Sequence, residues 1–109
     1  MSKSKNQQLN NLKKIVLNYV NLLEQEEFPV KEAYLFGSFA KGVSHNGSDI
    51  DICIVSPKFN PNNDKLRLFL WQKRRDVDYR IEPVGFNPAD FVEQDPLVYE
   101  IKNFGIRVV

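Results

Sequence analysis

The sequence predicts a small α/β (α+β) domain in which a mixed β-sheet carries helices packed on one face. Two observations predict this class: helical and extended segments alternate along the chain, and 109 residues is the size of one domain. Apolar residues make up 42% and charged residues 27%, which is ordinary for a folded globular chain. We therefore expect residues 1–109 to form a single domain with one core.

The first half of the chain begins with a predicted amphipathic helix over residues 6–27. Its apolar residues recur at steps of three and four, which places them on one face of the helix. They are Leu9, Leu12, Val16, Tyr19 and Leu23. Pro29 ends this helix, because proline interrupts the helical hydrogen-bond ladder. Residues 31–36 then predict a short strand that stops at Gly37, and residues 38–42 predict a short helix.

The second half continues the same alternation. Residues 49–55 alternate strictly, so that three isoleucines face one way while two aspartates and a cysteine face the other. The remaining predicted elements are a helix over 64–75, a strand over 76–86, a helical turn over 87–91, and a last helix that breaks at Gly105 before a short strand. The segment 72–75, with basic residues at 73–75, lies at a predicted helix C-terminus, where cations complement the helix dipole.

Composition excludes several kinds of chemistry. The formal net charge is only +1, whereas domains that bind nucleic acid through its phosphates usually carry a clear basic excess. Cys53 is the only cysteine and His45 the only histidine, which argues against disulfides, zinc sites and a histidine-activated nucleophile. No signal peptide and no apolar run long enough to span a membrane is visible, so a cytoplasmic location is expected.

Asp49 and Asp51 are unusual because they lie one residue apart in an otherwise apolar strand. Aspartate is a poor strand former, although a solvated edge strand could tolerate it. Two carboxylates about 5 Å apart repel by on the order of 3 kcal/mol at an effective dielectric constant of 20. A divalent cation would relieve this repulsion, and oxygen ligands on one strand face suit Mg²⁺. The pair is therefore a candidate magnesium site.

A possible phosphate-binding turn lies next to this pair in the sequence. Gly37 allows a tight turn and a close approach of phosphate oxygens to the backbone, and the Ser38 hydroxyl begins the following helix. Carboxylate-bound magnesium beside such a turn is the equipment for phosphoryl or nucleotidyl transfer.

Residues 34–55 carry a recognisable pattern. The segment "GSFAKGVSHNGSDIDICI" resembles the Gly-Ser plus Asp-x-Asp signature of the nucleotidyltransferase superfamily that includes DNA polymerase beta. In length and wording it is most similar to the minimal nucleotidyltransferases. The resemblance implies a polymerase-beta-like nucleotidyltransferase fold and Mg²⁺ as the cofactor. It also implies that Gly37 and Ser38 hold the phosphates of a nucleoside triphosphate, with Lys41 either adding a cationic contact or remaining solvated.

The resemblance also implies a third carboxylate on the next strand. The wording "VDYRIE" is similar to the family's third-carboxylate strand and selects Asp78. Asp49, Asp51 and Asp78 are then the catalytic and metal-binding residues. Strand parity would place Asp78, Arg80 and Glu82 on one face, so Glu82 is the reserve candidate. Asp76 is a weaker one.

The function implied by the resemblance is transfer of a nucleoside monophosphate, as AMP from ATP, to an acceptor hydroxyl. One domain of this size leaves the acceptor surface to a second copy or to a separate protein. Minimal nucleotidyltransferases often act beside a helical HEPN-type protein, as the antitoxin of a toxin–antitoxin system, and nucleic acid is not expected as a partner. The alternative is a catalytically silent nucleotide- or partner-binding module of the same fold.

Overall fold

The computed structural model describes residues 2–41, 48–60 and 64–109, with the side chains of residues 2–6 and 41 left out. The helices are α1 (Ser2–Gln25), α2 (Ser38–Lys41), α3 (Asp64–Lys73) and α4 (Pro96–Phe104). The strands are β1 (Glu32–Phe36), β2 (Ile50–Val55), β3 (Ile81–Phe86) and β4 (Ile106–Arg107). They form one sheet in the order β3-β2-β1-β4. Strand β1 is antiparallel to β2 and β4, whereas β2 and β3 are parallel, so the predicted small mixed sheet is confirmed.

Helix α1 ends in a tight hydrogen-bonded turn just before Pro29. The amide of Phe28 donates to the carbonyl of Leu23 over 3.0 Å, and the amide of Glu27 donates to Glu24 over 3.0 Å. Glu27 takes the left-handed conformation that this type of helix end requires, with φ 63°. Phe28 is then buried and stacks on Phe69 of α3 at 5.4 Å between ring centroids. The end of α1 is thereby fixed against α3.

The sheet separates two apolar clusters, one on each face. On the first face, α1 and α3 pack over the isoleucines of β2, with Val16, Leu23 and Leu70 among the buried side chains. On the second face, Val98 and Ile101 of α4 pack against alternate residues of β1 and β2. The expectation of helices on one face therefore holds for the two long helices. Helix α4 adds cover to the other face, because its own apolar stripe must also be buried.

Strand β3 forms one edge of the sheet and begins later than predicted. The sequence predicted a strand over residues 76–86, but residues Arg74–Asp76 form a 3-10 turn and β3 starts at Ile81. The even-numbered residues of β3 direct their backbone groups at β2, since Ile50 N–H donates to Arg80 and Ser56 N–H donates to Phe86. Pro83 therefore turns its missing N–H toward the outer edge, where proline is tolerated.

Within the described ranges, no helix is both long enough and apolar enough to cross a membrane.

Candidate active site

Asp49 and Asp51 lie on the second face of the sheet, at the start of β2. Asp51 is half-buried and pairs in register with Phe36 of β1, whereas Asp49 directly precedes the strand and is exposed. Ile50 and Ile52 point the opposite way and are fully buried. The alternation read from the sequence thus anchors the strand through its isoleucines and leaves both carboxylates on the other face.

Glu82 of β3 is the third carboxylate that the fold brings to this place. It is the in-register partner of Asp51 on the neighbouring parallel strand, so both side chains rise from the same face. A hydrogen bond to Asp49, together with burial and the charges of Asp49 and Asp51, raises the pKa of Glu82 to about 7. Asp49, Asp51 and Glu82 are called the carboxylate cluster below.

Asp51 also interacts electrostatically with Glu100, an acidic residue of α4. Its pKa is raised, first by burial, then by the negative charge of Asp49, and then by that of Glu100. Acidic groups therefore surround Asp51 from its own strand and from the helix that covers this face. Such a concentration of negative charge favours the binding of a cation.

Asp78, the third carboxylate selected from the sequence, is not on β3. It lies in the turn before the strand, and its two carboxylate oxygens accept hydrogen bonds from Arg80 Nε over 3.1 Å and Nη2 over 2.9 Å. The Arg80 amide also donates to it, over 2.8 Å. These hydrogen bonds lower the pKa of Asp78. The parity that would have put Asp78 beside Glu82 fails because the chain turns between them.

The sequence contains a pattern that indicates Glu82 as a partner of Asp51: in both places an isoleucine is followed directly by an acidic residue. Ile81 is fully buried and Glu82 follows it on the opposite face, as Asp51 follows the buried Ile50. The two Ile-acid pairs are matched in the parallel register of β2 and β3. Aligning these two pairs makes Glu82 the neighbour of Asp51.

Gly37 brings the backbone against the carboxylate cluster. Its φ is +77°, a conformation that side chains rarely adopt, and a Cβ added there would lie 2.1 Å from Oδ2 of Asp51. Only glycine therefore fits between the end of β1 and Asp51. Ser38 follows it as the first residue of α2 and is half-buried.

Two residues considered from the sequence fall outside what the structure describes. Lys41 ends α2, and its side chain is among those left out. His45 lies in the segment 42–47, between the described ranges.

The donor set of the carboxylate cluster fits a hard divalent cation. In the described part of the chain no three His, Cys, Asp or Glu side chains are already arranged to hold a metal ion. Asp51 and Glu82 nevertheless lie side by side on two paired strands, and Asp49, just before β2, interacts with the carboxyl group of Glu82. Carboxylate oxygens are the ligands that Mg²⁺ and Mn²⁺ accept.

Acidic residues on adjacent strands, beside a glycine turn, are an arrangement that suits proteins acting on phosphate esters through divalent cations. The family model for the nucleotidyltransferase domain matches residues 10–106, and the chain belongs to this family, within the polymerase-beta-like superfamily. Members of the family transfer nucleotidyl groups from nucleoside triphosphates and generally use divalent metals.

One solved structure supports the same fold. A presumed nucleotidyltransferase from Sulfolobus solfataricus superposes with a TM-score of 0.58 at 24% sequence identity. The match covers 96% of this chain and 82% of that one. No curated protein matches the sequence.

Proposed function

We propose that the protein transfers AMP from ATP to an acceptor hydroxyl, with Mg²⁺ held by the carboxylate cluster. The observation that carries the proposal is the matched register of Asp51 and Glu82, with Asp49 hydrogen-bonded to Glu82 and Gly37 directly against Asp51. This arrangement puts three acidic ligands and a turn open to phosphate oxygens at one place. In the proposal Glu82 takes the role that the sequence gave to Asp78.

In this proposal each residue has a role in metal binding, phosphate binding or proton transfer that follows from its position on the sheet. Asp49 and Asp51, with Glu82, would hold the cation, and the backbone of Gly37 and the hydroxyl of Ser38 would bind phosphate oxygens of the triphosphate from the β1 side. Glu82, on the β3 side, would be the group that takes up the proton of the acceptor hydroxyl. Lys41 is a further candidate for a phosphate contact. Bound divalent cations would neutralise charge on the phosphate oxygens and lower the pKa of the acceptor hydroxyl.

The reaction proposed is an in-line displacement at the α-phosphorus. The bond from the acceptor oxygen to the α-phosphorus forms as the bond to the bridging oxygen of the β-phosphate breaks, and pyrophosphate leaves. The proton of the hydroxyl passes to Glu82 or to water. The chain's contribution is the alignment of the two oxygens and the concentration of negative ligands around them.

The acceptor in this proposal is a hydroxyl on a protein partner. Resemblance to the minimal nucleotidyltransferases supports a helical HEPN-type partner, in the setting of a toxin–antitoxin pair. A second copy of this chain is the other source of an acceptor surface.

Transfer of label from α-³²P ATP tests the proposal. The protein is incubated with labelled ATP, Mg²⁺ or Mn²⁺ and a helical protein encoded by a neighbouring gene, and in parallel with the other nucleotides. Label on the partner that disappears in Asp49→Asn/Asp51→Asn supports the proposal. Asp90→Asn is the matched control, because Asp90 is exposed and lies in the turn before α4.

A different result would replace the proposal with the silent alternative. Binding of the partner without transfer from any nucleotide, and without metal-dependent nucleotide binding, would make the chain a binding module of the same fold.

A further inference from the structure

Arg74 makes more contacts with the rest of the protein than a cation at the end of a helix usually does. It follows α3 as the first residue of the 3-10 turn, and its guanidinium carbon lies 4.7 Å from the centre of the Trp71 ring. The backbone carbonyl of Arg74 accepts hydrogen bonds from the amides of Val77 and Asp78, over 3.1 Å and 2.9 Å. Its Nε is buried and has no hydrogen-bond partner among the described residues. The side chain of Arg74 is therefore packed against the protein and not extended into solvent.

The guanidinium group of Arg74 spans the start of β3. Its Nη1 donates to the backbone carbonyl of Tyr79 and, over 3.3 Å, to that of Ile81. Glu82 is the next residue after Ile81. The Arg74 side chain thus binds one carbonyl in the turn, that of Tyr79, and one at the start of β3, that of Ile81.

The positive charge of Arg74 also acts electrostatically on the carboxylate cluster. It lowers the pKa of Glu82, in opposition to the neighbouring acids that raise it. Arg75, one residue later, is exposed, and it is the arginine that fits the simple interpretation as a cation at a helix end.

We infer that Arg74 is a positioning residue for the third carboxylate: by holding the carbonyls of Tyr79 and Ile81, it places Glu82 in register with Asp51. This inference rests on the proposed role of Glu82 as a metal ligand. Arg74 does not touch the nucleotide in this scheme, and it positions Glu82 through the backbone carbonyls of Tyr79 and Ile81. Its positive charge by itself opposes cation binding, so a loss of affinity on its removal reports the positioning and not the charge. Supports of this kind commonly change metal affinity by about 10–100-fold.

Direct Mn²⁺ binding in the absence of nucleotide tests the inference. Free Mn²⁺ is measured by electron paramagnetic resonance on wild type, Arg74→Met, Arg74→Lys and the control Arg75→Met. Methionine keeps an unbranched stem against Trp71 but removes every donor, so the Mn²⁺ affinity is expected to fall by about 10–100-fold. Lysine can reach one carbonyl and should be intermediate, whereas Arg75→Met should match wild type.

A merely structural role gives a different outcome. Circular dichroism establishes that each variant is folded at the temperature of the binding measurement. If folded Arg74→Met has a lower Tm but wild-type affinity for Mn²⁺, the inference is overturned. Where Arg74→Met does not fold, Arg74→Lys decides, and wild-type affinity in that variant overturns the inference equally.

The two proposals fail in distinguishable ways. Wild type that binds Mn²⁺ but transfers no nucleotide would remove the proposed reaction and leave the role of Arg74 standing if Arg74→Met binds more weakly. Transfer by wild type together with unchanged Mn²⁺ binding in Arg74→Met would remove only the role of Arg74. Wild type that binds no Mn²⁺ would overturn the role of Arg74, and the proposed reaction falls with it only if wild type also transfers no nucleotide.

Discussion

Glu82 and Asp78 differ in what surrounds their carboxyl groups. Glu82 faces two other acids, which raise its pKa, whereas Asp78 is bound to Arg80, which lowers its pKa. A carboxylate already neutralised by an arginine has little to offer a metal ion. A carboxylate among other acids gains most from a cation, since the cation removes the repulsion.

Substituting these two acids separately should therefore give unequal results. We expect Glu82→Gln to reduce nucleotidyl transfer by more than about 100-fold, a larger loss than removing a support of a metal ligand causes. Asp78→Asn should retain transfer within about 10-fold, because it weakens only the ion pair with the exposed Arg80 in the turn before β3. Steady-state rates with α-labelled nucleotide provide the measurement. The reverse order of effects would return the role of third carboxylate to Asp78.

Gly37 is constrained both by its backbone and by the side chain of Asp51. Gly37→Ala should destabilise the protein by about 1–3 kcal/mol, because alanine is strained at positive φ and its Cβ would overlap the Asp51 carboxylate. Urea unfolding of the single and double variants separates the two causes. In an Asp51→Ala background the carboxylate is gone, so the cost of Gly37→Ala should shrink to the backbone part alone. Equal costs in both backgrounds would mean that the overlap contributes nothing.

Helices α1 and α3 are joined by a buried hydrogen bond as well as by apolar packing. Tyr19 of α1 is fully buried and its hydroxyl donates to the carbonyl of Leu70 in α3 over 2.6 Å. Burial raises the pKa of Tyr19, which keeps the hydroxyl protonated and able to donate. The end of α3 that leads to Arg74 and β3 is thereby tied to the long first helix.

Removing this hydroxyl tests the connection at the scale of the elements. Tyr19→Phe should lower the free energy of unfolding by about 1 kcal/mol, the usual net value of one hydrogen bond in a protein. The exposed Tyr99 supplies a matched control, and Tyr99→Phe should stay within about 0.5 kcal/mol of wild type. Thermal or urea unfolding measures both. Equal stabilities for the two variants would mean that the hydroxyl of Tyr19 does not hold the helices.

The element boundaries show where the pattern in the sequence is informative. Strand β2 was predicted within one residue, because its isoleucines alternate without interruption. Strand β3 was predicted five residues too early, because residues 76–80 also alternate but are held as a turn by Arg74 and Arg80. Local alternation does not reveal a turn that is held by side-chain hydrogen bonds, those from Arg74 outside the segment and the one that Asp78 accepts inside it.

Repulsion within the carboxylate cluster is expected to destabilise the folded protein when no metal ion is bound. In excess EDTA, Asp49→Asn/Asp51→Asn should be at least as stable as wild type, because the substitutions remove two mutually repelling charges, one of them half-buried. Adding Mg²⁺ or Mn²⁺ should reverse the order. Cation at 100 times its dissociation constant stabilises the folded state by about 2.7 kcal/mol, which for a domain near this size corresponds to roughly 10 °C or more in Tm.

Thermal unfolding with and without the cation measures this crossover. Asp90→Asn serves again as the control and should follow wild type in both conditions. A Tm increase of the same size in wild type and in the double variant would place the cation somewhere other than the carboxylate cluster.

The sequence by itself determined the class of fold, the β2 strand, and the likeness of Asp49, Asp51, Gly37 and Ser38 to a nucleotidyltransferase site. These features are encoded within short segments, by alternation and by glycine at a turn. The tertiary structure decided which acid meets the two aspartates, because that depends on the parallel register of β2 and β3 and on the turn before β3. It also placed α4 on the second face of the sheet and Arg74 at the start of β3. Such relations join residues distant in the chain, and they arise only when the core closes and fixes the register.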